Sequence, residues 1–245
     1  MPTFMALQRC PNLVVLPTRF DVYRREAAII RSILYQFTSI IEPLSLDEAF
    51  LDVTSRVKDY TDAQALAREL KHEIFLHEGL TCSIGISYNK LIAKIASDMQ
   101  KPDGLVVIRQ NELPGRLYGL RLGALTGIGR AMEQRLNQLG IRTVEQLCTA
   151  SKETLRHAWG GIEGERFYAK LRGDVMAAAP TQRASIGHSH VLAPELRDPV
   201  STLPVLKRLL HKAAMRLRHY GYCAGTLCLQ LHYLKIDAGR VHWVD

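Results

Sequence analysis

From Arg19 to Phe37 the apolar side chains Tyr23, Ala27, Ile30, Leu34 and Phe37 recur in alternating steps of four and three, one stripe of an amphipathic helix. The period then changes. Ile40-Ile41-Glu42-Pro43-Leu44 and Ala49-Phe50-Leu51-Asp52-Val53 are apolar-rich runs on either side of Ser45-Leu46-Asp47-Glu48, which predicts strand, tight turn, strand. Asp62 is placed to cap a helix carrying Leu66, Leu70 and Ile74. Leu80, Cys82, Ile84 and Ile86 alternate with Thr81, Ser83 and Gly85, the period of a strand. Ser87 is placed to cap a helix from Asn89 to Met99, and Leu105-Val106-Val107-Ile108 reads as a further strand. Strands and helices in this order predict an α+β fold, with a mixed or antiparallel sheet covered by helices on one face.

Beyond residue 110 the pattern is helical and punctuated by glycine. Leu125-Thr126-Gly127-Ile128-Gly129 leads into a helix from Arg130 to Leu139 that Gly140 ends, and Thr143 with Gln146 forms a capping box for the next. Helix, Gly-x-Gly turn, helix is the pattern of a helix-hairpin-helix. Glycines there let backbone N–H groups approach a phosphate, and Arg130, Arg135 and Arg142 lie nearby in the chain. Residues 176–185, with Ala177-Ala178-Ala179-Pro180, read as a linker. Ser185 to Leu192 alternates as a strand with His188 and His190 on one face, Thr202 starts a basic amphipathic helix to about Tyr220, and two strands, Gly225–Lys235 and Arg240–Val244, flank an Asp237-Ala238-Gly239 turn.

Charge sharpens this division. Residues 1–109 carry 13 Lys+Arg and 13 Asp+Glu, and residues 110–245 carry 19 and 11, so the whole net charge of +8 lies in the second half. A neutral, acid-bearing half joined to a basic half suits a catalytic platform with a separate polyanion grip. Five cysteines (Cys10, Cys82, Cys148, Cys223, Cys228) form no C-x-x-C pair, which argues against a zinc site or a disulfide framework and fits a reducing cytoplasm. Cys223 and Cys228 read as small apolar residues of a strand region. No apolar run is long enough to span a membrane and no leader is visible at Met1, so a cytoplasmic protein without a membrane partner is expected. No glycine-rich P-loop or dinucleotide fingerprint occurs.

Asp47 and Glu48 are the candidate chemistry. Neighbouring side chains of a regular strand point to opposite faces, so two adjacent acids converge only where the backbone turns. Converging carboxylates repel, and a hard divalent cation such as Mg²⁺ resolves the repulsion. Lys90 and Lys94 share a helical face, and Lys94 is one turn from Asp98, with which it can pair. Asp21 and Asp52 read as surface and structural residues. Each feature has a plain structural counterpart: a solvated Asp-Glu turn, a solvated lysine face, an ordinary glycine turn.

Ser45 to Val53 with its Pro43 lead-in, Ala93-Lys94-Ile95-Ala96-Ser97-Asp98-Met99-Gln100-Lys101-Pro102-Asp103-Gly104, Leu125-Thr126-Gly127-Ile128-Gly129 and the opening Cys10-Pro11-Asn12-Leu13 together resemble the Y-family translesion DNA polymerases, in the DNA polymerase IV (impB/mucB/samB-type) branch. The resemblance covers essentially the whole chain. It implies a finger remnant at 1–17, a catalytic palm at 18–109, a thumb with a helix-hairpin-helix at 110–175, a linker at 176–185 and part of a little finger at 186–245. It further implies template-directed nucleotidyl transfer with two Mg²⁺ ions, primer–template DNA and deoxynucleoside triphosphates as partners, and a role in damage tolerance, SOS response and repair. Asp47 and Glu48 are then metal ligands, Lys101 and more weakly Lys94 face the triphosphate, and Gly127, Ile128, Gly129 and Arg130 hold DNA. Family members begin with a strand carrying another metal-binding Asp and continue into a finger region. This chain is expected to start after both, to end inside the little finger, and to lack the C-terminus through which a sliding clamp would bind. Two other classes stay open: a non-catalytic primer–template or damaged-DNA binding protein, and a helix-hairpin-helix nuclease, which would not account for the wording of the hairpin.

Overall fold

The computed structural model describes Met1 and residues 3–176, 185–237 and 240–244, in two compact units, Met1–Ala177 and Ala178–Asp245. A short α1 (Thr3–Arg9) precedes α2 (Phe20–Phe37). Of the expected stripe of α2 only Leu34 and Phe37, toward its C-terminus, are fully buried; with Ile33 they pack against Leu70 and Ile74 of α3 (Tyr60–Glu78). Tyr23, near its start, is 43% exposed. The C-terminus of α2 is closed by Arg56, whose Nη1 donates to the carbonyls of Gln36 and Phe37 at 3.0 Å each, satisfying acceptors that the helix leaves open.

The predicted hairpin is present. β1 (Ile41–Pro43) and β2 (Ala49–Leu51) pair antiparallel in the register Ile41↔Leu51, Glu42↔Phe50, Pro43↔Ala49. β3 (Ile84–Ile86) and β4 (Leu105–Val107) pair parallel, and such a pair requires a crossover. That crossover is α4 (Lys90–Met99). Both two-stranded ladders lie in the first unit, and a third, antiparallel, joins β5 (Tyr233–Asp237) and β6 (Arg240–Val244) in the second. The mixed α+β character thus holds, with short separate ladders among the described residues.

Several caps differ from the sequence expectation, each for a conformational reason. Asp59, not Asp62, caps α3: its backbone is extended, and its carboxylate accepts from the N–H groups of Thr61 (2.7 Å) and Asp62 (2.9 Å). Asn89, not Ser87, caps α4 through the Ile92 N–H at 2.9 Å, and the Ser87 hydroxyl is spent on the Ile108 carbonyl. In the second unit α9 (Pro199–His219) starts at Asp198, which accepts from Val200 and Ser201, and Thr202 is already inside the helix. No strand forms over 185–192, where His188 and His190 are exposed, and β5 begins at Tyr233, leaving 225–232 without strand pairing. Cys223 and Cys228 are accordingly exposed and outside any strand. Most of the expected linker, residues 177–184, and the Ala238-Gly239 tip lie outside the described residues.

The larger core ignores the division read from the sequence at residue 109. Ile92, Ile95 and Ala96 of α4 share one buried cluster with Ile108, Leu117, Leu136, Leu147, Leu155 and Leu171. Alpha-helices α5 (Arg130–Gln138), α6 (Val144–Thr149), α7 (Lys152–Trp159) and α8 (Ile162–Leu171) supply the far side of that cluster. Asn89 ties the same helix to the same side, donating from Nδ2 to the Lys170 carbonyl at 2.8 Å. Helix α4 is therefore anchored on its apolar face, and its polar face is free to meet the hairpin.

Candidate functional site

The loop 44–48 closes on itself: the N–H groups of Leu44 and Ser45 donate to the Glu48 carbonyl at 2.8 and 3.2 Å. This bend breaks the strand alternation and brings the two acids together. The Ser45 hydroxyl lies 2.7 Å from Asp47 Oδ1 and 3.4 Å from Glu48 Oε2. Asp47 is exposed and Glu48 half-buried, and both line a small cleft of about 40 Å³ with Ala27, Ile30 and Arg31 of α2.

Facing the acids is the polar side of α4. Lys94 Nζ is 2.9 Å from Glu48 Oε1 and 3.0 Å from Asp98 Oδ2, and Lys101 Nζ is 2.6 Å from Asp98 Oδ1. One turn earlier Lys90 pairs with Glu42 of β1 and stands 5.9 Å from the Phe50 ring centroid. The result is a chain of alternating charge, Glu48, Lys94, Asp98, Lys101, running from the hairpin tip to the exit of α4. Lys94 is the most enclosed member, with its side chain 17% exposed. Burial on its own would favour the neutral amine, but hydrogen bonds to Glu48 and Asp98 outweigh it and hold the Lys94 ammonium above its ordinary pKa. Burial alone would likewise raise Asp98, whereas Lys101 and Lys94 together hold its carboxyl below the ordinary carboxylate value.

Of the expected residues, Asp47, Glu48, Lys94 and Lys101 thus fall in one network. The Lys94 to Asp98 pair was legible as an i, i+4 spacing. Asp98 as the link between the two lysines, and Ser45 as the bridge between the acids, were not singled out. The contact of Glu48 with Lys94 joins residues 46 positions apart, and no local period reports it. Asp52 is structural: its carboxylate accepts from the Thr54 N–H at 3.0 Å, and its carbonyl accepts from the Thr38 hydroxyl at 2.6 Å. The donor set at the tip, two carboxylates beside a hydroxyl, is all oxygen and suits Mg²⁺. A cation already stands against one of the two acids, the Lys94 ammonium. Among the described residues no third His, Cys, Asp or Glu joins them to complete a cluster.

The Gly-x-Gly turn sits apart from this network in the same unit. Gly127 has φ of +96°, a left-handed conformation suited to glycine, and Ile128 between the glycines is buried. Gly129 caps α5 without any side chain, and a Cβ placed on it would meet nothing within 4 Å. The N-terminus of α5 is therefore open at its exposed backbone, with Arg130 exposed beside it. Before the turn stands a 3₁₀ turn, Leu122–Ala124, and not the α-helix expected. Arg135 leaves the proposed phosphate-facing set: its Nη1 donates to the Ala158 carbonyl at 2.9 Å and closes the end of α7. Arg142 is exposed.

Comparison with known proteins matches these parts in order. The impB/mucB/samB family pattern covers residues 1–98, the pattern for the thumb domain of DNA polymerase-iota covers 123–174, and the impB/mucB/samB C-terminal domain covers 183–241. DNA polymerase IV of Cronobacter sakazakii is 39% identical over 219 residues, 89% of this chain and 62% of its own length. DNA polymerase IV of Alkalilimnicola ehrlichii is 38% identical over 236 residues, 95% of this chain and 66% of its own. Among solved structures, a Y-family DNA polymerase chimera superposes with a TM-score of 0.71 at 30% identity, covering 88% of this chain and 63% of the chimera. The chain spans about two thirds or slightly less of the length of these relatives.

Proposed function

The chain belongs to the impB/mucB/samB family, and we propose that it carries the acid pair, the triphosphate-facing lysine and the DNA grip of a Y-family, DNA polymerase IV-like enzyme that extends a primer 3′ end along a template. The observation that carries this reading is the convergence of Asp47 and Glu48 at the tip of a closed loop, directly against the lysine chain of α4.

In this reading Asp47 and Glu48 hold Mg²⁺. Two such ions would supply the charge that favours an attacking oxygen at a phosphorus centre and stabilises the leaving one. What the residues of the chain contribute is placement. The loop closure by Leu44 and Ser45 fixes the direction of both carboxylates, and the Ser45 hydroxyl keeps them on one side of the hairpin. Lys101, the exposed end of the charge chain, is free to exchange Asp98 for a triphosphate oxygen and to offset charge building on the departing phosphates. Lys94 adds positive charge behind it. Open backbone N–H groups at Gly129 and Arg130 would donate to the phosphate backbone of DNA without reading bases, so damaged templates are not excluded by sequence readout.

A second reading, primer–template binding without synthesis, is favoured by one observation: no third metal-ligating side chain joins the acid pair among the described residues. One experiment separates the two. Primer–template DNA, Mg²⁺ and four deoxynucleotides are given to the chain and to Asp47→Asn. Extension that disappears in the variant while DNA affinity stays within about twofold supports synthesis. Equal DNA binding with no extension by either protein supports the binding role.

A further inference from the structure

We propose that Lys94 is a built-in competitor for the metal: its ammonium occupies Glu48 until Mg²⁺ enters, and Asp98 is the acceptor that draws Lys94 away. This rests on the reading of Asp47 and Glu48 as metal ligands. Lys94 has two carboxylate partners at nearly equal distance, 2.9 Å to Glu48 Oε1 and 3.0 Å to Asp98 Oδ2. A divalent cation at Glu48 and an ammonium within hydrogen-bond reach of the same carboxylate repel each other, so each occupancy weakens the other.

The retreat position is already built. Asp98 lies one turn along the same helix and already accepts Lys94 at 3.0 Å, so Lys94 can leave Glu48 without losing that partner, and Ile92, Ile95 and Ala96 keep α4 fixed in the core meanwhile. Asp98 also holds Lys101 at 2.6 Å. A triphosphate that takes Lys101 leaves the charge of Asp98 to Lys94 alone, which strengthens the pull of Asp98 on Lys94 and loosens its hold on Glu48. Nucleotide arrival and metal entry are coupled in this way through one carboxylate that touches neither. Asp98 is a positioning residue in this scheme, acting through Lys94.

The test is a Mn²⁺ titration of the full 245-residue chain, read by paramagnetic broadening of the backbone amides of residues 44–49, which registers weak binding without catalysis. Lys94→Met is expected to lower the Mn²⁺ concentration at half effect by about threefold or more, the scale set by removing one partly exposed competing charge. Lys94→Arg keeps the charge and is expected to stay near the parent. Asp98→Asn is expected to raise the half-effect concentration in the parent and to change it much less in the Lys94→Met background, because its action runs through Lys94. Unperturbed amides of Ile92, Ile95 and Ala96 would show that α4 has not moved. Weaker or unchanged Mn²⁺ binding in Lys94→Met would overturn the proposal, since a lysine that merely orients Glu48 for the metal gives that result. So would an Asp98→Asn effect of the same size in both backgrounds. If no variant, Lys94→Met included, shows broadening that Asp47→Asn removes, the acid pair is not a metal site and the reading beneath the proposal fails with it. Broadening that Asp47→Asn removes, but that Lys94→Met does not strengthen, leaves the metal site standing and sinks the competitor alone.

Discussion

Gly85 of β3 and Ala93 of α4 lie so close that a Cβ on the glycine would stand 2.0 Å from the Ala93 carbonyl oxygen and 2.4 Å from the Ser97 N–H nitrogen. Those contacts are backbone, which cannot swing aside. The residue next to Ala93 is Lys94, so the missing methyl group at Gly85 lets the helix that carries the lysines sit directly on β3. Gly85→Ala should destabilise the chain by about 1–3 kcal/mol, the cost of overpacking a tight interior contact. Urea denaturation reads this directly, and an unchanged midpoint would show that α4 can lift without penalty.

The exposed glycine turn gives a cleaner probe of DNA. Gly129 has an extended backbone and open space around its missing side chain, so Gly129→Val is accommodated by the fold. A bulky group there blocks a phosphate from the N-terminus of α5. Affinity for primer–template DNA should fall roughly tenfold, the size of losing hydrogen bonds to a charged acceptor, and by the same factor for unrelated sequences. Fluorescence anisotropy at several salt concentrations measures it, and a loss confined to one sequence would contradict backbone recognition.

Lys101 stands at the outer end of the charge chain, with its side chain 56% exposed. Lys101→Ala should weaken deoxynucleoside triphosphate binding to the chain–DNA complex by about tenfold, the scale of one charge-assisted hydrogen bond. DNA affinity itself should change little. Stopped-flow fluorescence with a labelled template separates the two, and an equal loss of both would move Lys101 from the nucleotide to the duplex.

Asp98 carries a pH signature whose sign can be worked out. Its folded carboxyl lies below its ordinary value, held there by Lys101 and Lys94 against the opposing effect of burial. A carboxyl depressed on folding stabilises the protein fully above its unfolded pKa and loses that contribution as pH falls through the folded value. The stability gap between the parent and Asp98→Asn should therefore be constant from neutral pH to about pH 5 and narrow below pH 4. Urea midpoints across that range test it, and a gap that widens on acidification would reverse the assignment.

Much of this protein was determined by short-range sequence alone. The hairpin around Asp47 and Glu48 was legible because turn residues interrupt two apolar runs. The helix of Lys94 and Asp98 was legible because its apolar residues fall at helical spacing, and the capping box of Thr143 and Gln146 because both of its hydrogen bonds span three residues. These signals are local, and the chain carries them whatever it packs against. Where several polar residues stood close together, the choice among them was not local. Asp59 rather than Asp62, and Asn89 rather than Ser87, became caps because of where the extended backbone turned into helix. Arg135 was drawn to the Ala158 carbonyl because α7 ends beside α5, a fact of packing that no spacing records. Tertiary structure alone decided the contact that joins the two local halves of the site. The contact between Glu48 and Lys94 exists because α4 is pressed onto β3 at Gly85 while Ile92, Ile95 and Ala96 lock it in the shared core. Burial of Ile92, Ile95 and Ala96 orients the helix, and that orientation adds Glu48 to the local run of Lys94, Asp98 and Lys101.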